Sequence, residues 1–337
     1  MKSLLGFDDA VVIVVTATAG LLALGVVGCG QKDRVVGFTS AVGASGGRVV
    51  ATTDATATDA TTPDATTDAS TVLGPFGAPV AIDGLLATAD LVQDPSLSTD
   101  ELELYFASEK AGATEGYDIW LSTRTSVTDP WGVGSMVAEL STAKYDDLEP
   151  EVSADDLTMY FSSDRPGPEA DTHIWVSQRQ RRTDPWGAPV QLKLTGTSMA
   201  ARGPAVDDQQ LEMVFYSDGA QGDYDLYRMT RASVTDAWGA PAPLTEVNSS
   251  VFDWDPALFL DGRGLIFGSR RNGDKTGPSD LFETSQTSPT SPFATPRALT
   301  PLNSKSSEGD PWLSNDGRHI VFSSDRSGTT RLYEAFR

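Results

Sequence analysis

The chain has 337 residues, with 25 basic against 47 acidic side chains and a net charge of −22, so the sign of its field disfavours nucleic acid and anionic lipid as partners. A single cysteine excludes an internal disulfide, and two histidines, His173 and His319, with no His-Glu-x-x-His pattern give zinc hydrolysis no support. Stability must then come from a hydrophobic core, which a domain of this length can supply.

The first segment, residues 1–28, reads as an export signal. A charged start leads into an apolar run from Ala10 to Val27, closed by Val26-Val27-Gly28-Cys29-Gly30. Small residues before a cysteine resemble a bacterial lipoprotein signal, in which the cysteine accepts lipid and becomes the new N-terminus; Cys29 is the lipidation candidate. Asp8 and Asp9 interrupt the usually basic lead, and the run is just long enough to span a bilayer, so an uncleaved anchor and an ordinary cleaved signal stand as alternatives. All three export the remainder of the chain. Gly30 after the cysteine, by the same resemblance, is compatible with outer-membrane sorting in a Gram-negative cell; the expected location is the bacterial envelope, as an outer-membrane lipoprotein or facing the periplasm, with the cell surface as a further option.

Residues 29–73 form a linker. From Ala51 to Ser70 it is almost entirely Thr, Ala and Asp, a composition that buries nothing and is expected to be a disordered tether, with O-glycosylation as a further use of its threonines.

From residue 74 to the end, one pattern recurs five times. Pro95/Phe106, Pro150/Phe161, Pro204/Phe215, Pro256/Phe267 and Pro311/Phe322 are each eleven residues apart, and the copies succeed one another at 55, 54, 52 and 55 residues. A period near fifty means one repeated supersecondary unit. Each unit opens on an acid before proline (Asp94, Glu149, Asp255, Asp310; Gly203 in the third), with the proline expected at the first residue of a strand. A polar turn comes next, Asp261-Gly262 and Asp316-Gly317 being its clearest forms. Then come a second strand through the phenylalanine, a third such as Asp118-Ile119-Trp120-Leu121, a connector such as Asp129-Pro130-Trp131-Gly132, and a short fourth strand such as Ala188 to Leu192. Four short strands per unit make an all-β propeller blade. Phe106, Trp120, Trp131 and their counterparts are the expected core.

The ends complement each other. The fifth copy stops after its third strand, and Pro75-Phe76-Gly77-Ala78-Pro79-Val80 matches the connector Pro185-Trp186-Gly187-Ala188-Pro189-Val190. The reading is five four-stranded blades, the last closed by an N-terminal strand, which removes an open sheet edge.

The acid-Pro start, the Asp-Gly turn and the runs Ser162-Ser163-Asp164-Arg165 and Ser323-Ser324-Asp325-Arg326 resemble the TolB-type (WD-repeat-like) β-propeller family over residues 75 to 337. The resemblance implies the blade. The family's namesake has six blades and an additional N-terminal domain, so its Tol-Pal role is not carried over.

Residues that recur in every blade are explained by the blade; residues that break the repeat are better candidates for a site. Trp254 stands where other copies have Gln93, Leu148, Arg202 and Gly309, and Trp312 where they have Ser96, Glu151, Ala205 and Ala257. Both are expected at one channel mouth, as an aromatic platform for a sugar or a peptide side chain. Arg202 offers a hydrogen-bond fork. Asp94, Glu149, Asp255 and Asp310 are expected to ring the mouth, chiefly to accept backbone N–H groups, with a divalent cation such as calcium as a further occupant; no other cofactor is implied. The domain carries 21 basic and 40 acidic side chains, a net of −19, which suits solubility or a basic partner. The expected function is non-catalytic binding of a protein or glycan by a lipid-anchored monomer at a bacterial envelope. A glycoside hydrolase using two channel carboxylates and a structural spacer are the alternatives.

Overall fold

In a computed structural model, the described residues are 12–18 and 21–27 (backbone only), 73–87, 91–109, 116–168, 171–218, 223–273 and 276–337. The contacts divide the chain into two units, residues 1–69 and 70–337. In the first unit Val12–Thr18 and Leu21–Val27 pair as antiparallel strands, where the sequence suggested a signal or a spanning helix. Among the described residues no helix is long and apolar enough to cross a membrane. Cys29 and the linker up to residue 72 lie outside the described residues.

The second unit is a five-bladed β-propeller of five four-stranded antiparallel sheets. The inner strands are Val92–Leu97, Asp147–Val152, Arg202–Val206, Asp253–Phe259 and Glu308–Leu313. Each is followed by a second and a third strand in meander order, and the outermost strand is two residues long, as in Val190–Gln191. Prolines beside these outer strands, such as Pro189 and Pro296, withhold ladder donors and keep the outer edge short. The repeat's phenylalanines, Phe106, Phe161, Phe215, Phe267 and Phe322, are all fully buried. Trp120 departs from expectation: it is only partly buried, and its neighbour Ile119 is the side chain wholly inside. The period of two along a strand sends adjacent side chains to opposite faces, so one of the pair must take the more open side.

The ring closes as the two ends of the repeat indicate. Val80 and Ala81 pair with Glu334 and Tyr333, the Gly77 N–H donates to the Phe336 carbonyl at 2.8 Å, and the Arg337 guanidinium lies 4.2 Å from the Phe76 ring centroid.

One local expectation is corrected. The acid-proline pairs do not begin the inner strands; they sit inside them, where the register shifts between Gln93 and Ser96 and at the four equivalent places. The residue before each proline has positive φ: 54° at Asp94, 53° at Glu149, 57° at Gly203, 47° at Asp255 and 47° at Asp310. Proline is tolerated in a sheet at a bulge as well as at a strand start, because the ladder is already interrupted there. The five bulges narrow the channel to a waist.

Candidate functional site

The waist is built from the five acid-proline positions, with a cavity of about 40 Å³ among them, room for water and little else. The acids tie blade to blade. Asp94 Oδ2 accepts the N–H of Glu149 at 3.1 Å, Glu149 Oε2 accepts that of Gly203 at 2.7 Å, and Asp255 Oδ2 accepts that of Asp310 at 3.4 Å. These three carboxylates therefore reach the equivalent residue one blade on, which explains why the acid recurs. A non-glycine residue in the left-handed region costs about 1–2 kcal/mol, and these bonds offset it.

Burial, then the neighbouring carboxylates Asp310 and Glu149, push the Asp94 carboxyl well above the ordinary range. Asp255 is raised in the same way, by burial first and then by Asp310. Burial also raises Glu149, against the pull of hydrogen bonds from Ser162, Tyr216 and the Gly203 backbone. Among the described residues no group of three or more His, Cys, Asp or Glu is spaced to hold a metal ion.

On one side of the waist the channel widens into a cavity of about 320 Å³. Its base is Asp94, Glu149, Asp255 and Asp310, and one wall is Tyr216, Tyr224, Phe252 and Trp254. The aromatic rings form a continuous series, with centroids 5.1 Å apart for Tyr216 and Tyr224, 5.4 Å for Tyr224 and Phe252, and 5.9 Å for Phe252 and Trp254. The Arg270 guanidinium lies 5.3 Å from both the Phe252 and Trp254 centroids and braces the two rings. Gln93 and Leu148 complete the wall.

Trp312 is elsewhere. It lines a cavity of about 100 Å³ on the far side of the waist, with Glu101, Glu151 and Asp208, and meets His319 edge-on at 5.7 Å. The two tryptophans thus do not form one platform. The inner strand runs along the channel, so a residue two before the proline and one just after it emerge at opposite ends. Arg202 engages the Tyr224 hydroxyl at 2.9 Å and Asp171 at 3.2 Å, which places it on the rim beside the aromatic series. Of the residues that sequence reasoning offered, the structure joins Trp254 with Asp94, Glu149, Asp255 and Asp310, sets Arg202 at the edge and places Trp312 in a separate cavity.

Sequence reasoning passed over Tyr216, Tyr224, Phe252 and Arg270. A signal existed for Tyr216, which stands where the other blades have Ala107, Ser162, Gly268 and Ser323. Arg270 carried one as well, standing where the other blades have Glu109, Asp164, Asp218 and Asp325, and Phe252 stands where they have Leu91, Asp146, Ala200 and Ser307.

No protein-family profile and no curated protein matches this chain. Solved structures do. TolB from Acinetobacter baumannii is 17% identical, with a TM-score of 0.48 over 75% of this chain; this chain spans only 55% of that protein. A thermostable family-43 glycoside hydrolase has a TM-score of 0.52 at 12% identity, covering 76% of this chain and 92% of that one. The endo-arabinase from Bacteroides thetaiotaomicron has 0.52 at 16%, covering 78% and 98%. The likeness is one of fold. At these identities it extends to the propeller and not to an activity.

Proposed function

We propose that this protein is a non-catalytic binding module, exported to a bacterial envelope on a lipid anchor at Cys29, that takes the end of a glycan or a side chain of a protein partner into the Trp254 mouth. The observation that carries this reading is a separation of roles at the channel. The recurring acids hold adjacent blades through backbone N–H groups, whereas Tyr216, Trp254 and Arg270 in the wall above them depart from the repeat. A concave, largely aromatic cavity with a few polar groups at its base is the usual form of a small-ligand site. The envelope location rests on the apolar run from Ala10 to Val27 ahead of Cys29.

A second reading, a glycan-active hydrolase, draws on the same base: burial beside other carboxylates raises the pKa of Asp94 and Asp255, the direction that favours a general acid. Binding to immobilised glycans and pull-down of envelope proteins, each run with a reducing-sugar assay on the full chain, separates the readings. The binding module retains a ligand and releases no sugar. Sugar release that disappears when two ring carboxyls become amides establishes the hydrolase, and the absence of any retained ligand or product establishes a spacer.

A further inference from the structure

The groups around the Trp254 mouth narrow the chemistry of what fits it. Four carboxyl side chains, Asp94, Glu149, Asp255 and Asp310, converge at the base and repel a carboxylate, sulfate or phosphate. The aromatic wall already has its cations. Arg270 is 5.3 Å from the centroids of Phe252 and Trp254, and Arg202 is 5.5 Å from that of Tyr224. A ligand ammonium or guanidinium would meet the Arg270 guanidinium at the Phe252 and Trp254 rings that would otherwise attract it. A purely apolar group would desolvate the carboxyl lone pairs that the Glu149, Gly203 and Asp310 N–H groups do not already fill, with no donor for them. What remains is an uncharged ligand with one apolar face and hydroxyl groups at its edge.

The indole is placed to receive such a face. Two positions beside it have given up their side chains: a Cβ on Gly268 would stand 3.4 Å from Trp254 Nε1, and one on Gly309 3.9 Å from it. The blades carry Ala107, Ser162, Tyr216 and Ser323 at the first position and Gln93, Leu148 and Arg202 at the second. The pair of glycines lets the ring system lie down over the sheet. A cavity of about 320 Å³ stands at the lower end of small-ligand sites, which begin near 300 Å³, and has room for one sugar ring.

We infer that the Trp254 mouth takes a single uncharged sugar residue, its C–H face on the indole and its hydroxyls on the carboxyl groups at the base. The inference rests on the binding-module reading and names its ligand class. Hydroxyl groups suit carboxyls in either protonation state, since a protonated carboxyl also donates.

The test titrates the full chain, by calorimetry and tryptophan fluorescence, with three sets of probes. These are neutral pentoses, hexoses, N-acetylhexosamines and their disaccharides; glucuronic and galacturonic acids; and short peptides bearing lysine or arginine. The expected result is saturable binding of at least one neutral sugar, weakened tenfold or more by Trp254→Ala and less by Trp254→Phe, with the charged probes at least tenfold weaker. Circular dichroism controls for folding, and Trp254→Phe alone carries the comparison if the alanine variant fails to fold. Trp254-dependent binding of a basic peptide, with no neutral sugar bound, overturns the sugar inference and leaves the binding module standing. No binding across the neutral panel overturns the inference as well. A sugar that binds and is then cleaved keeps the ligand class and overturns the non-catalytic reading.

Discussion

Tyr216 occupies the space that Gly203 leaves open. A Cβ on Gly203 would stand 2.7 Å from the Tyr216 ring, and the Tyr216 hydroxyl reaches Glu149 Oε1 at 2.5 Å. The two departures of the third blade are therefore one event: the carboxylate missing at Gly203 is replaced by a phenol entering the ring from the second strand.

Gly203→Asp, which restores the repeat's acid, should for this reason harm the protein. The side chain would collide with Tyr216 at a backbone φ of 57°, and the expected loss is about 2–4 kcal/mol. Adding Tyr216→Ser, the residue that the second blade has at this position, should recover a large part of it. Urea melts of both single variants and the double variant measure the coupling; additive losses would show that the two sites are independent.

Glu151 gives a pH dependence with a definite sign. Desolvation in the channel pushes its carboxyl up from 4.5 to about 8, against bonds from the Val206 N–H and Ser96. The folded state holds this proton more tightly than the unfolded state, so the contribution is full below pH 4.5 and is lost as pH rises through about 8. Glu151→Gln should leave stability nearly unchanged at pH 5 and raise it by about 1–3 kcal/mol at pH 8.5, discounted for the side chain's partial exposure. Melts at the two pH values check the crossover.

His319 joins the last blade to the first. Its Nδ1 is 3.0 Å from Glu101, its Nε2 is 3.2 Å from Glu334, and it stacks on Phe336 at 4.2 Å. Burial opposes its protonation, but the bonds and charges of the two glutamates win and raise its pKa above 6.5. The protonated bridge therefore contributes fully below pH 6.5 and fades as pH climbs through the folded-state value. His319→Gln should cost about 1–3 kcal/mol at pH 6 and less at pH 9. Imidazole NMR reads the titration directly, and a His319 that titrates below its free value contradicts this account.

Removing residues 74–82 should open the fifth blade. The deletion takes away buried Phe76 and the two-residue strand against Tyr333 and Glu334. Loss of one aromatic burial, about 1.5–3 kcal/mol, corresponds to roughly 3–12 °C in Tm for a domain of this size. The exposed edge should also promote association, visible by light scattering.

Cys29→Ser tests the anchor. Only a thiol accepts the diacylglyceryl group, so lipid labelling should vanish and an unprocessed or soluble form should appear. Unaltered membrane retention with an intact N-terminus would instead point to an uncleaved anchor.

The repeat alone set the blade count, the strand order, the turns and the closing of the fifth blade by Phe76 to Val80. These features were legible because alternation along a strand and the residues of a turn are local, and five copies in register average out their exceptions. It also marked Trp254 and the acids as candidates and gave the acids their backbone role. The positions of the tryptophans along the channel were decided only in three dimensions. Trp254 and Trp312 both lie within two residues of a proline, yet the bulge at that proline is the waist, and each emerges on its own side. The aromatic series from Tyr216 to Trp254 likewise brings together residues from separate strands, and Glu149 meets Tyr216 67 positions away. Contacts of that kind depend on which blade stands next in the ring, and no local pattern in the chain records them.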